Sequence, residues 1–183
     1  LEPGGQARGR LDGEAFTVQP QPGQSAFDAA LGHLGAALQH HENRLVAVAH
    51  RIVHGGDIGV QPCLLDAQRI ADLHTLDSLA PLHQPHNLAG VQAFAREFPA
   101  LPQVGCFDTA FHASLPDVER RLPLPRSLAS QGLRRYGFHG LSYDYLGRTL
   151  DGLSSRMRGR ALLAHLGNGA SVCATCAGRS VAT

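Results

Sequence analysis

Leu45-Val-Ala-Val-Ala-His-Arg-Ile-Val53 is β-branched and apolar with two polar interruptions, His50 and Arg51. A nearly continuous apolar run of that length reads as a buried strand of a parallel sheet. His54-Gly-Gly-Asp57 stops it. Downstream, Asp66 is expected to cap a helix reaching about Ser78, and Asn87 to cap another. The second helix would face Leu88, Val91, Phe94 and Ala95 inward and stop at Pro99. Val104-Gly-Cys-Phe107 reads as a short strand ending in Asp108. Upstream, Ser25 is a plausible N-cap for a helix with Phe27, Ala30, Leu31, Leu34 and Leu38 on one face. Residues 1–24, rich in Gly, Pro and Gln, are expected to be mostly loop or edge, with a short strand at 15–18. Toward the C-terminus, Ser142 starts a helix to about Leu150 and residues 161–166 form a strand. Gly167-Asn-Gly169 turns, Ser171–Thr175 returns, and Gly178 turns into a last strand at 180–183. Strands alternating with helices predict an α/β protein, with a sheet turning mixed near the C-terminus.

At 183 residues the chain makes one domain or one and a fraction. With 43% hydrophobic and 17% charged residues it is neither collagen-like nor wholly disordered. Sixteen basic against fifteen acidic residues leave a net charge of +1, so no broad field gathers nucleic acid or an anionic membrane. No run approaches the ~20 apolar residues of a membrane span. All the basic residues are Arg. The lack of Lys removes Schiff-base chemistry and a phosphate loop ending in Gly-Lys-Ser/Thr from this chain. Any anion must then be met by Arg, His, backbone N–H groups or a metal. Cys63, Cys106, Cys173 and Cys176 are too few and scattered for a disulfide-stapled secreted domain. No basic-then-apolar leader opens the chain, so a cytoplasmic location is the expectation. Both ends, Leu1 and Thr183, read as cut.

Five segments crowd catalytic-type residues against turns or glycine: 50–57, 80–87, 106–112, 134–140 and 165–171. Most follow an expected strand or precede an expected helix, where open α/β sheets place ligands. One composite site accounts for them better than five unrelated loops. Arg51, in an apolar strand, requires either an acidic partner or a cleft that receives an anion. Asp108 ends a strand and suits a general base, a metal ligand or a turn cap. Gly167-Asn-Gly169 suits a tight hairpin or a backbone nest for phosphate, the latter favoured by His165 before it and Ser171 after it. His50 and His54 are four apart, but on a strand and without the Glu of a zinc-protease helix. Zinc ligation is set aside for them and for His83 and His86, which lie beside two prolines. Cys173-Ala-Thr-Cys176 is a lone pair whose cysteines alternate onto opposite strand faces, which suits packing better than zinc or redox chemistry.

Taken in order, these five motifs resemble the acetate kinase family, the acetate and propionate kinases of the acetate/sugar kinase–Hsp70–actin superfamily, from about Val46 to Val181. The resemblance implies a ribonuclease-H-like (actin-like ATPase) α/β fold, present in part. Residues 1–109 would be a partial N-terminal acyl-substrate domain, and 110–183 the start of the nucleotide-binding domain. Family members are more than twice as long, so the chain would be an internal piece without the N-terminal strands and the C-terminal half. The implied reaction is ATP + acetate = ADP + acetyl phosphate with Mg²⁺, a step toward acetyl-CoA. Propionate kinase is one alternative; a truncated, inactive fragment with at most weak nucleotide binding is the other. By the same resemblance Arg51 binds the carboxylate and the transferred phosphoryl group, Asp108 is the catalytic carboxylate and His139 stabilises the transition state. Val53, Leu82 and Phe138 would form a pocket for the substrate's methyl. His165, Leu166, Gly167, Asn168 and Gly169 would form the nucleotide-phosphate loop.

The family's phosphate motif Asn-x-Gly-Ser-Ser-Ser-x-Lys is absent, and its Mg²⁺ ligands are expected outside this chain; no metal ligand is assigned within it. No nucleic-acid or membrane partner is implied, and the full-length protein is expected as a homodimer. Where the family usually shows His-Gly-Thr-Ser-His, this chain has His139-Gly-Leu-Ser-Tyr143, and Gln84 replaces a common Asn.

Overall fold

The computed structural model describes residues 5–11, 13–38 and 44–183. β1 (Ala7–Leu11) and β2 (Glu14–Val18) pair antiparallel, Ala7 opposite Val18. The first 24 residues therefore hold a hairpin where loop was expected outside 15–18. Phe16, Thr17 and Val18 are good strand formers, and they recruit a partner strand that has no apolar alternation of its own. α1 (Ala26–Leu38) starts as expected, the Asp28 N–H donating to Ser25 Oγ at 3.0 Å. Its buried face is Ala29, Leu31 and Gly35, and Phe27 remains 36% exposed.

β3 (Val48–Ile52) lies parallel to β5 (Gln103–Phe107), and β4 (Cys63–Leu64) flanks β5 antiparallel, giving the order β3-β5-β4. Two helices connect them, α2 (Ala67–His74) and α3 (Gln84–Glu97). The Asp66 cap holds, accepting the Arg69 N–H at 2.7 Å. α2 ends short of Ser78, at His74, and a 3-10 turn takes over at Asp77–Leu79.

α3 begins three residues before Asn87, with Pro85 in its first turn, where a missing N–H costs nothing. The Asn87 side chain is used elsewhere: its Oδ1 accepts the Val53 N–H at 3.0 Å. Gln84 accepts the His54 N–H at 3.2 Å and returns a donor to the His54 carbonyl at 2.9 Å. The start of α3 thereby ties down the backbone that leaves β3. The first core cluster gathers Ile52, Leu65, Leu73, Leu88, Val91 and Phe107 between sheet and helices. β3 is not buried on both faces as its composition suggested. Ile52 is fully buried, and Arg51 on the other face is open to solvent.

Beyond a 3-10 turn at Ala110–Ser114 come two single-turn helices, α4 (Asp117–Arg120) and α5 (Arg126–Ala129). Then follow α6 (Gly140–Leu153), β6 (Arg160–Leu166), β7 (Ala170–Cys176) and β8 (Arg179–Ala182). α6 starts two residues before Ser142, because Gly140 is already fixed against the first sheet. β6-β7-β8 is the expected antiparallel meander, but it is a sheet of its own. The mixed sheet is the earlier one, made mixed by β4. Tyr143, Leu163 and Cys173 form the second core with Phe111, Leu146 and Leu150 around them. Cys173 is buried and Cys176 exposed, both as free thiols. Among the described residues no helix is long and apolar enough to cross a membrane.

Candidate active site

Parallel pairing sets Arg51 opposite Cys106 and Ile52 opposite Phe107. Asp108 is therefore the first residue past the sheet edge, its N–H donating to the Ile52 carbonyl at 3.0 Å. Arg51 grips its carboxylate with two nitrogens, Nη2 at 2.6 Å from Oδ2 and Nε at 3.2 and 3.1 Å from Oδ1 and Oδ2. Asp108 is 1% exposed, whereas the Arg51 side chain is 60% exposed. Of the two expectations for Arg51, the acidic partner is met. Its inner edge has an acidic partner, and its outer edge faces solvent, Nη1 having no hydrogen bond among the described residues. The hydrogen bond to Asp108 pushes the guanidinium pKa further up, so the cation is permanent.

The Asp108 carbonyl accepts the Gly140 N–H at 2.8 Å. A Cβ at 140 would overlap that carbonyl, so this close approach admits only glycine. His139, just before it, sits in the left-handed region at φ 58°. A non-glycine residue held there marks an over-determined backbone. Part of the constraint comes from His112, which is 3% exposed. Its Nε2 donates to the Phe138 carbonyl at 3.0 Å, and its Nδ1 accepts from Ser180 Oγ at 2.9 Å. The sequence flagged the segment containing His112 but gave that residue no role; only the carbonyl it holds reveals one.

The His139 and His165 rings stack, centroids 4.1 Å apart and 20° from parallel. Each sets its Nδ1 against a hydroxyl, Ser171 at 2.8 Å and Ser142 at 3.1 Å. Their Nε2 edges border the glycine turn: a Cβ on Gly169 would stand 3.5 Å from His139 Nε2, and one on Gly167 3.7 Å from His165 Nε2. Leu166, Gly167, Asn168 and Gly169 are exposed, so the turn is open to an incoming group. Burial pushes the His139 pKa below 6.5; the neighbouring His165 and Arg51 push the same way and Asp108 opposes them. His139 is accordingly a neutral donor or acceptor near pH 7.

The expected methyl-pocket residues are not gathered in one cavity. Phe138 lines a cleft of about 470 Å³ with His54, Leu79, Leu122, Leu133 and Tyr136. Val53 is half-buried outside that lining, and Leu82 is 80% exposed. His54 is buried edge-on against Tyr136 at 4.4 Å and Phe138 at 5.7 Å. Burial and the charge of Arg134 push its pKa down. Arg134 itself is held by Asp57 and lies 4.7 Å over the Tyr136 ring. No three His, Cys, Asp or Glu side chains converge among the described residues. The one buried carboxylate at the site is engaged by Arg51. Among the described residues these side chains do not form a magnesium cage.

A buried carboxylate locking a solvent-facing guanidinium, and beside it a glycine turn edged by imidazole nitrogens, are carried here on an α/β actin-like ATPase fold. The chain belongs to the acetokinase family, whose model matches residues 11–183. It is 51% identical over 144 residues to the acetate kinase of Rhodopseudomonas palustris, covering 78% of this chain and 36% of that protein. Against the acetate kinase of Nitrobacter hamburgensis it is 45% identical over 175 residues, 93% of this chain and 43% of the relative. A propionate kinase structure from Francisella tularensis superposes with a TM-score of 0.84 at 30% identity, over 92% of this chain and 44% of its own. The acetate kinase structure from Entamoeba histolytica follows at 0.78 and 28%, over 94% and 44%. The chain thus spans less than half the length of these relatives.

Proposed function

We propose that this chain supplies the acyl- and phosphate-binding part of an acetate kinase, catalysing ATP + acetate = ADP + acetyl phosphate. The observation that carries this reading is the Arg51–Asp108 pair, 2.6 Å at its shortest, with one guanidinium edge still free. In in-line transfer, an acetate oxygen forms a bond to the γ-phosphorus while the bond to the ADP oxygen breaks. A carboxylate is already ionised near pH 7 and needs no strong base. What the step needs is alignment and neutralisation of the charge on the equatorial oxygens. Arg51 offers a forked donor for carboxylate and phosphoryl oxygens, and Asp108 presets its direction. His139 adds a donor. His165, Leu166, Gly167, Asn168 and Gly169 form the turn on which the nucleotide's phosphates rest.

In this reading residues 1–109 belong to the acyl-substrate domain and 110–183 open the nucleotide domain. Magnesium bound to ATP is held by residues outside this chain. A cytoplasmic homodimer belongs to the same reading for the full-length protein. Propionate is the second candidate substrate, favoured by the high structural similarity to a propionate kinase. Val53, Leu82 and Phe138, if brought together on substrate binding, would discriminate one methylene by only about 1–3 kcal/mol. The test is to incubate the protein with ATP and acetate, or propionate, and trap acyl phosphate as the hydroxamate. Product is expected from the native protein and not from Arg51→Ala. Equal yields from both would refute the assignment.

A further inference from the structure

Tyr143 is fully buried. Its hydroxyl lies 2.5 Å from Ser171 Oγ, and the same Ser171 Oγ lies 2.8 Å from His139 Nδ1. Three polar atoms thus run in a line from the second core to the active-site imidazole. We propose that Tyr143, acting through Ser171, is a positioning residue that fixes His139 as its Nε2–H tautomer and so aims a neutral N–H donor at the Gly167–Gly169 turn. The consequence for catalysis rests on the phosphoryl-transfer reading above; the tautomer does not.

Counting protons decides the direction of the chain. Tyrosine and serine each carry one O–H, and a neutral imidazole carries one N–H. If Tyr143 donates to Ser171 and Ser171 donates to His139 Nδ1, every hydroxyl proton has an acceptor, and the imidazole proton sits on Nε2. In the reverse order His139 Nδ1–H donates to Ser171 and Ser171 donates to Tyr143. The Tyr143 O–H then needs an acceptor inside a sealed core. Its surroundings are Phe111, Leu163 and Cys173, and among the described residues its hydroxyl has no second partner. The polar ring beside it, His112 at 5.7 Å, spends one nitrogen on Ser180 and the other on the Phe138 carbonyl. Ser171 Oγ has two lone pairs and could accept from both neighbours, but its own O–H would then forgo His139 and has no other partner among the described residues. A stranded O–H is the costly outcome, so the first order is the stable one. Protonation at both imidazole nitrogens meets the same obstacle, and burial, His165 and Arg51 all oppose it. The other ring edge then carries the N–H, and that edge borders Gly169. The nitrogen facing the cleft is set by the hydrogen bond the opposite nitrogen accepts.

The test uses the whole chain labelled with ¹⁵N-histidine, reading two-bond imidazole couplings, with His139→Asn identifying the resonance. The native protein is expected to show a single Nε2–H tautomer at His139. Tyr143→Phe keeps the ring in the core and removes only the proton source, and His139 is expected to become a mixture containing Nδ1–H. Ser171→Ala is expected to do the same, Ser171→Thr to keep the native pattern, and His165 to stay unchanged throughout. Phosphoryl transfer should fall roughly tenfold or more in kcat for Tyr143→Phe, with KM for ATP little changed. A native Nδ1–H tautomer, or an unchanged one in both Tyr143→Phe and Ser171→Ala, would overturn the proposal. A native protein without phosphoryl transfer would instead refute the proposed function, and the coupling pattern would still decide the relay.

Discussion

The two sheets of this chain handle polar groups in opposite ways. At the edge of β3-β5-β4 a full negative charge, Asp108, is buried and made tolerable by a cation that stays open to water. At the end of β6-β7 the polar groups are two stacked imidazoles, two serine hydroxyls and an exposed glycine turn. The packing differs as well. Helices α2 and α3 share the first core with the sheet, whereas α6 covers one face of the second sheet. On the other face Leu162 is 78% and Val172 52% exposed. The lesson is a division of labour. In the proposed function the first sheet would supply a fixed charge for a carboxylate and phosphoryl group, and the second neutral donors and open backbone for a larger anion.

The largest effect should come from breaking the charged edge. Arg51→Ala is expected to lower turnover about 1,000-fold, since in the proposed function it removes the cation that meets the transferred group. It also strands Asp108, at a cost to folding of about 1–3 kcal/mol. Steady-state kinetics and urea melts read the two losses separately. Loss of stability with turnover intact would show the pair to be scaffolding, and the contrast between the sheets would dissolve. Next, β6 allows the one-sided covering to be tested on adjacent residues. Leu163 is 4% exposed and Leu162 is 78% exposed. Leu163→Ala is expected to cost about 3 kcal/mol through the cavity it opens. Leu162→Ala should stay within about 0.5 kcal/mol. A large loss at Leu162 would mean that the outer face is covered in solution.

The junction between the sheets gives the third expectation. Gly140 carries α6 onto the Asp108 carbonyl, with no space for a Cβ. Gly140→Ala must push the two apart, costing about 1–3 kcal/mol in a urea melt. It should also displace His139 from the Arg51–Asp108 pair. An alanine tolerated without loss of stability or activity would mean that the two halves of the site are not rigidly joined.

How far the sequence foretold this arrangement depends on the range of the interaction. Local signals carried through: Ser25 and Asp66 cap helices, and Gly167-Asn-Gly169 turns a hairpin, because a cap or a tight turn is satisfied within a few residues. Asn87 carries the same type of signal, yet its side chain serves the Val53 N–H, 34 residues away. Nothing local distinguishes those two uses. Arg51 in an apolar strand announced a partner or an anion, but that the partner is Asp108, with one guanidinium edge left to solvent, needed the parallel register to be known. His112 and Ser171 were invisible as positioning groups, because their partners, Phe138 and Tyr143, lie 26 and 28 residues away. The methyl pocket was the weakest inference. Apolar residues carry no directional chemistry, and Leu82 lies on the surface.

The smallest effect is the pH dependence, and it separates the two regions again. His54 belongs to the first region, and His112 and His139 to the second; all three are held below 6.5, in each case chiefly by burial. Arg134 adds to the depression at His54, and His165 and Arg51 add to it at His139, while the Phe138 carbonyl partly offsets it at His112. A base whose folded pKa lies below its unfolded value binds fewer protons when folded. Stability is therefore complete above the unfolded pKa and is lost as pH falls from 6.5 toward the folded values. The urea midpoint is expected to hold steady from pH 8 to 7 and to drop between pH 6.5 and 5, with an unchanged m-value. His112→Gln retains a donor within reach of the Phe138 carbonyl and removes one titration, so its midpoint should drop less over the same interval. His139 is the least enclosed of the three, and His139→Asn should flatten the profile least. If His139→Asn flattened it most, the left-handed turn at 139, rather than the His112 clamp behind it, would be where protons enter the fold.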